Sequence, residues 1–106
     1  MASVVVDYSD GRRATVPLDN WSLIEIRGVD SELVVAGGRG AANSATLPIP
    51  RALRLAHGRV EVDCAPGILA NTTLVPVDEE SEIVVRPGTG DPVRVALEGA
   101  TSVRLS

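Results

Sequence analysis

Short runs of valine, leucine and isoleucine recur every eight to twelve residues along this chain, and Gly, Pro, Asp or Asn separates one run from the next. Such runs occupy residues 4–6, 33–35 and 83–85, and at 93–95 two valines flank Arg94. No window carries a sustained 3.6-residue period, which is the signature of an amphipathic helix. Branched apolar residues between turn formers are typical of strands, so the pattern predicts about ten short strands and no convincing helix.

The first predicted hairpin has a three-residue loop at residues 9–11, with glycine at the position that needs a left-handed backbone. That loop sets Val6 opposite Ala14 on one face and Asp7 opposite Arg13 on the other. A two-residue loop would mix apolar and polar residues on both faces. Because a one-residue slip moves every side chain to the wrong face, the three-residue loop is favoured.

Two further turns, at residues 28–31 and at His57-Gly58, predict hairpins with the same division of faces. In each hairpin apolar residues pair on one face, and an arginine meets a glutamate on the other. The agreement between turn chemistry and pairing supports both registers. The predicted pairs are Ile24–Val35, Ile26–Leu33 and Arg27–Glu32, then Leu53–Val62, Leu55–Val60 and Arg54–Glu61.

The later part of the chain predicts further strands. Residues 68–77 form a long apolar stretch whose Pro76 indicates a sheet edge. The loop at residues 87–92 places Val85 opposite Val93 in a fourth hairpin. If the tail paired with that hairpin, Arg94 would lie opposite Arg104, which is unfavourable, so we expect the last strand to join another neighbour.

These elements predict an all-β fold. We expect one domain spanning residues 1–106, folded as an antiparallel β-sandwich of jelly-roll or Greek-key type, with a small β-barrel as the second choice. The segment Pro48-Ile49-Pro50 predicts a crossover or an edge. No internal repeat is strong enough to suggest a propeller or solenoid.

Composition narrows the class of protein. The net charge is −4, all ten basic residues are arginine and are spread along the chain, and Tyr8 and Trp21 are the two aromatic residues. Nucleic-acid binding needs clustered basic and aromatic residues, so no nucleic-acid partner is expected. Lysine, phenylalanine and glutamine are absent, and because the codons of lysine and phenylalanine are AT-rich, a GC-rich coding sequence is the favoured explanation for these two.

The sequence also bears on location. Cys64 is the single cysteine and has no partner for an internal disulfide, which favours a reducing compartment. No basic, apolar leader is present at the N-terminus, and no stretch reaches the ~20 apolar residues of a membrane span. We expect no signal peptide, no transmembrane segment and no membrane partner, and a location in the cytoplasm or in an assembled particle.

Catalytic and metal chemistry find little support. In the third hairpin His57 lies in the turn, and Cys64 lies roughly 20 Å away along the returning strand at ~3.3 Å per residue, so the pair cannot form a nucleophile and base. The acidic cluster of Asp78, Glu79, Glu80 and Glu82 indicates a solvated turn, with weak Ca²⁺ binding as the alternative. The sequence therefore predicts no enzyme, no catalytic residue, no cofactor and no metal site.

The Gly37-Gly38-Arg39-Gly40 segment resembles a phosphate-cradling loop, but such a loop needs a following helix, and residues 41–46 predict one helical turn at most. We interpret it as a flexible surface loop with Arg39 at its tip as a candidate anion or partner contact. Trp21 follows a turn-like segment and has two interpretations. It is either a core plug at the end of the fold or an exposed anchor for a partner or sugar ring.

The preferred function is a non-catalytic structural or interaction module that self-assembles, as a homo-oligomer, or docks on a protein partner through its sheet faces, edges and loops. A virion or shell component would suit it. Strands that are apolar on consecutive positions need cover on both faces, and a second subunit can supply it. The alternative is a small ligand- or carbohydrate-binding domain, or an accessory domain of an enzyme, with a pocket lined by Trp21, Tyr8 and the Arg39 loop.

Overall fold

A computed structural model describes residues 2–65 and 71–106, and in this part of the chain it has ten strands and one short helix. The all-β class predicted from the sequence is confirmed. The strands are β1 Ser3–Tyr8, β2 Arg13–Pro17, β3 Leu23–Arg27, β4 Glu32–Ala36, β5 Ile49–Ala56, β6 Arg59–Ala65, β7 Asn71–Pro76, β8 Glu82–Arg86, β9 Val93–Ala96 and β10 Ala100–Leu105, and the helix is α1 Arg39–Ala45.

The described strands form three antiparallel sheets, with the orders β10-β1-β2, β4-β3-β8-β9 and β5-β6-β7. Residues from all three sheets meet in one buried apolar cluster, including Val4, Ile24, Val62 and Ile83. The two-sheet sandwich is not confirmed, because the same core is enclosed by three sheets.

The three hairpin registers predicted from turn chemistry are confirmed. Val6 lies opposite Ala14 and Asp7 opposite Arg13 in the first hairpin. The second and third hairpins have every predicted pair, including Arg27–Glu32 and Arg54–Glu61. Gly11 has φ +91°, and His57 and Gly58 have φ +55° and +73°, so each turn uses the left-handed backbone that its residues allow.

The predictions for the later chain also hold where the structure describes them. Val85 pairs with Val93, and β10 pairs with β1, which keeps Arg104 away from Arg94. Pro76 ends an edge strand, and the chain crosses from one sheet to another through residues 48–50. The first residues of the predicted strand 68–77, up to residue 70, lie outside the described residues.

The glycine segment was predicted to be a flexible surface loop followed by one helical turn at most, and this prediction is wrong. Helix α1 begins at Arg39 and has seven residues. Alanines favour the helix. The backbone N–H groups of its first turn are hydrogen-bonded to a residue from another part of the chain. The side chain of Asn20 accepts a hydrogen bond from the N–H of Gly40, and the Asn20 carbonyl accepts one from Ala41, both at 3.0 Å.

The chain contains an internal duplication that was not predicted from the sequence. Strands β1 to β5 and strands β6 to β10 repeat the same topology, and we call residues 3–56 repeat 1 and residues 59–105 repeat 2. At the centre of the four-stranded sheet, β3 of repeat 1 pairs with β8 of repeat 2. There Glu25 faces Val84, which occupies the same position in the other repeat, so an approximate twofold axis passes between them.

The fifth strand of each repeat pairs with the first strand of the other: β5 with β6, and β10 with β1. Both pairings carry a bulge at the same point, where Arg51 in β5 and Thr101 in β10 are skipped. The two repeats are therefore joined by exchanged strands as well as by the shared central sheet. Helix α1 lies between β4 and β5 of repeat 1, whereas a short loop joins β9 to β10 in repeat 2.

The turns that lead into β3 and β8 are duplicated in atomic detail. In each, an aspartate N–H donates to a serine Oγ at 2.9 Å, in Asp19–Ser22 and in Asp78–Ser81. Each serine hydroxyl donates back to the aspartate Oδ1, at 2.9 and 3.1 Å respectively. The shared sequence Pro-x-Asp-x-x-Ser-x-Ile, which starts at Pro17 and again at Pro76, is the signal that marks the duplication.

Candidate interaction surfaces

Trp21 lies in the first of the two duplicated turns, and its position is fixed by the backbone. Its N–H donates to the Asp19 Oδ1 at 2.8 Å. The Asp19 carboxylate also accepts a hydrogen bond from the N–H of Gly88 at 3.1 Å, which ties the turn to the β8–β9 loop. The hydrogen bonds from Trp21 and Ser22 lower the pKa of Asp19, so the carboxylate stays ionised and the turn stays closed.

The indole itself is on the surface. Trp21 is 56% exposed, so its interpretation as a core plug is wrong and it is available for contact. Gly40 and Gly88 lie against it so closely that a Cβ on Gly40 would be 2.8 Å from the indole ring, and one on Gly88 2.7 Å from the Trp21 Cβ. The glycines thus form a backbone cradle for the indole. We call Trp21, Asn20, Gly40 and Gly88 the Trp21 corner.

Arg39 belongs to the same region. It is the first residue of α1 and immediately precedes Gly40, and its side chain is exposed. In the described part of the chain it forms no ion pair. Of the segment that contains Arg39, the backbone of Gly40 lies against the Trp21 indole.

Tyr8 is not part of the Trp21 corner. It lies at the end of β1 where the hairpin turns, whereas Trp21 lies beyond the other end of β2. Its hydroxyl donates to the Ala96 carbonyl at 2.5 Å, and the Arg12 guanidinium lies 4.7 Å from the ring centre. Burial raises the pKa of Tyr8, so the hydroxyl stays protonated as a donor at neutral pH. The single pocket predicted for Trp21, Tyr8 and Arg39 together is not formed.

Tyr8 instead lines an open cleft between β2 and β9, which are edge strands of two different sheets. We call it the β2–β9 cleft. Its volume is about 580 Å³, and its walls include Arg13, Val16, Arg94 and Val95. Val93 points toward the core side of its sheet yet is 43% exposed, because the cleft leaves it uncovered.

Both walls of the cleft present backbone groups that their own sheets do not use. The Tyr8 N–H donates to the Arg12 carbonyl, and the Leu18 N–H donates to the Ala2 carbonyl. Every second residue of β2, which includes Ala14 and Val16, therefore turns its backbone N–H and carbonyl toward β1. By this alternation Arg13 and Thr15 turn theirs toward the cleft. On β9 the bond from Leu97 N–H to the Ser81 carbonyl sets the same alternation, so Arg94 and Ala96 face the cleft.

The equivalent opening in the other half of the molecule, between β7 and β4, is closed by the backbone. The N–H of Ala36 donates to the Pro48 carbonyl beyond α1, and the Pro76 carbonyl accepts a hydrogen bond from Val29, at 2.9 and 2.8 Å. At the β2–β9 cleft the equivalent groups are the N–H of Ala96 and the carbonyl of Pro17. Within the described residues neither has a backbone partner. The two repeats therefore differ here: backbone hydrogen bonds close the opening between β7 and β4, and the equivalent β2–β9 cleft stays open.

The outer face of the four-stranded sheet carries a balanced ion-pair network. Burial alone would raise the pKa of Glu25, which is 7% exposed, but hydrogen bonds from Arg86 and Arg27 outweigh it and lower the pKa. Arg27 also contacts Glu82 at 3.3 Å, and Glu82 accepts a hydrogen bond from Arg94 at 3.2 Å. The low exposure of Glu25 and Arg27 within this network indicates a structural role for these two residues.

The register of the third hairpin places His57 and Cys64 far apart along β6. His57 lies in the β5–β6 turn and Cys64 near the far end of β6, opposite Pro50. Burial, together with the neighbouring Asp63, raises the pKa of Cys64, so the residue is a thiol at neutral pH. In residues 2–65 and 71–106, no group of three His, Cys, Asp or Glu side chains is placed to hold a metal ion.

A second cleft, of about 510 Å³, lies where β5 meets β10. Its lining carries two arginines and two acidic residues, so its charges balance, whereas the charged residues that line the β2–β9 cleft are arginines. The Arg54 guanidinium donates to Glu61 at 2.7 Å, and the Thr72 hydroxyl donates to Asp63 at 2.7 Å. This arrangement indicates ion pairing and hydrogen bonding that stabilise the fold.

Comparison with known proteins finds no match: no protein-family model, no curated protein and no solved structure is similar to this chain. Among the described residues, no helix has the length and apolar character that a membrane crossing requires.

Proposed function

We propose that the protein is a non-catalytic interaction module that binds an extended segment of a partner protein in the β2–β9 cleft. One observation carries the proposal: two strand edges face each other across an open cleft, and the equivalent opening in the other repeat is closed by its own backbone. Unpaired strand edges bind extended chains by adding a strand.

Apolar residues on the outer sheet faces would favour a homo-oligomer if they needed a second subunit as cover. Val5 and Val84 lie on outer faces and are 3% and 0% exposed within the single chain. The partner in this proposal is therefore a different chain, and self-association is measured as a separate outcome.

Selection from a library of random extended peptides tests the function. The edge-blocked variant Thr15→Pro removes an N–H that faces the cleft and leaves the bonds between β1 and β2 in place. Its matched control is Leu74→Pro, which makes the same change at the equivalent position of β7. We expect peptides to be enriched on the wild type and on Leu74→Pro, and to be lost from Thr15→Pro.

Two results would contradict the proposal. One is that no peptide is enriched on the folded wild-type protein. The other is that enrichment survives Thr15→Pro while circular dichroism shows this variant to be folded. Sedimentation equilibrium supplies the remaining test: a wild-type dimer that Thr15→Pro dissociates would assign the cleft to a second copy of the chain and overturn the choice of partner.

A second candidate function, ligand or partner binding at the Trp21 corner, is favoured by one specific observation. The twin turn has Glu80 in place of Trp21, and its N–H makes the same bond to the aspartate, at 2.9 Å to Asp78. The turn therefore does not need an aromatic residue. A large exposed side chain that the local structure does not require suits a contact residue.

A further inference from the structure

We infer that the β2–β9 cleft selects an extended segment in which acidic residues alternate with small apolar residues. This inference rests on the proposed function and names the class of its partner. It follows from the two faces that an inserted strand would share with its neighbours, since successive side chains of a strand point to opposite faces.

The outer side of the cleft is basic. On this side β2 presents Arg13 and β9 presents Arg94, and Arg12 lies where the hairpin turns. No acidic residue is among the described residues of the cleft walls. Side chains of the bound segment that point outward would therefore lie between arginines.

These arginines can change partners at small cost. Arg12, Arg13 and Arg94 are paired with Asp10, Asp7 and Glu82, but their side chains are 59–70% exposed. Exposed ion pairs contribute little to stability. A carboxylate of the bound segment can share or replace these partners while the arginine stays hydrogen-bonded.

The inner side of the cleft is apolar and shallow. There β2 presents Ala14 and Val16, and β9 presents Val93 and Val95. Val16 and Val95 also belong to the apolar core, so the space beneath an inserted strand is limited. Side chains that point inward should be valine, alanine or threonine, because a larger residue would collide with this floor.

The length and direction of the segment are also constrained. β2 has five residues and β9 has four, which matches a bound stretch of about four or five residues, 13–17 Å long. Gly88, before β9, lies at the Trp21 corner beyond the end of β2, and Ala96, the last residue of β9, contacts Tyr8 near the start of β2. β9 therefore runs opposite to β2 along the cleft. An inserted strand is thus antiparallel to one wall and parallel to the other.

Fluorescence anisotropy with defined peptides tests the inference. The probe is a fluorescein-labelled peptide with the core Val-Glu-Val-Glu-Val, and the control peptide has lysine in place of glutamate. We expect saturable binding of the glutamate peptide that weakens as salt is raised, and no binding of the lysine peptide at the same concentrations.

Variants of the protein separate charge selection from a loss of folding. Arg13→Gln combined with Arg94→Gln should weaken binding of the glutamate peptide roughly 2- to 30-fold, as expected for two exposed charge pairs. Arg54→Gln is the matched control, since Arg54 is an equally exposed arginine on β5 outside the cleft, and it should leave binding unchanged.

Equal binding of both peptides, or an equal loss of binding in Arg54→Gln, would overturn the inference. Its failure is distinguishable from failure of the proposed function. If the library yields Thr15-dependent peptides that are basic or lack the alternation, strand addition stands and the acidic selectivity is wrong. If the library yields no peptide at all, both proposals fail.

Discussion

Ala36 and Ala96 occupy the same position in the two repeats, but only the N–H of Ala36 is bonded to backbone within the described chain, to the Pro48 carbonyl at 2.9 Å. The difference arises from the connection that follows each strand. Repeat 1 continues through α1 and returns along the edge of β4, whereas repeat 2 turns directly into β10. The insertion closes one opening, and its absence leaves the β2–β9 cleft.

The emission of Trp21 reports its environment without interference, because it is the single tryptophan. We predict a red-shifted spectrum that acrylamide quenches strongly, since the indole is 56% exposed. Trp21→Glu, which copies the residue of the twin turn, should lower the free energy of unfolding by about 1 kcal/mol, because the indole is covered on one side by Gly40 and Gly88. A blue-shifted, protected emission would contradict the placement of Trp21 on the surface.

The duplicated turns should respond alike to mutation. Ser22→Ala and Ser81→Ala each remove a buried hydroxyl that makes two hydrogen bonds with its aspartate. We expect each variant to lower the free energy of unfolding in urea by about 1–3 kcal/mol. Ser44→Ala, in the exposed face of α1, is the control and should be close to neutral. A large effect at one turn alone would argue against their equivalence.

Asp7 should give the fold a dependence on acid pH. Hydrogen bonds from Arg13, Arg104 and Ser102 lower the pKa of Asp7 to about 2. Since the folded pKa lies below the unfolded value of ~3.9, the stabilisation is present above pH 4 and is lost as pH falls toward 2. Asp7→Asn should therefore melt below the wild type at pH 7, and the two melting temperatures should converge near pH 2. A constant difference would contradict the assignment.

Glu25 should matter for stability through its two arginines. Replacing it with glutamine keeps its size but removes the charge that accepts hydrogen bonds from Arg86 and Arg27. We expect Glu25→Gln to cost about 1–3 kcal/mol, less than for a fully buried pair because both arginines are partly exposed. Urea unfolding measures it, with Glu98→Gln at an exposed turn as the control.

The hairpins could be predicted from the sequence because their registers are set locally. The loop at residues 9–11 and the His57-Gly58 turn each leave one register that separates apolar from charged side chains. Helix α1 could not be predicted, since Asn20 caps its first turn from a distant part of the chain. The exposure of Trp21 and the open cleft also could not be predicted, because both depend on how distant segments of the two repeats pack together and local sequence patterns do not contain that information.

Residue-resolved amide hydrogen exchange tests strand addition most directly. In the free protein the Thr15 amide faces the open cleft and should exchange quickly, as should Leu74 at the equivalent edge of β7. With a saturating amount of the glutamate peptide, we predict that exchange at Thr15 slows by about tenfold or more while Leu74 is unchanged. Unchanged exchange at Thr15 in the bound state, or equal protection of both amides, would contradict binding in the β2–β9 cleft.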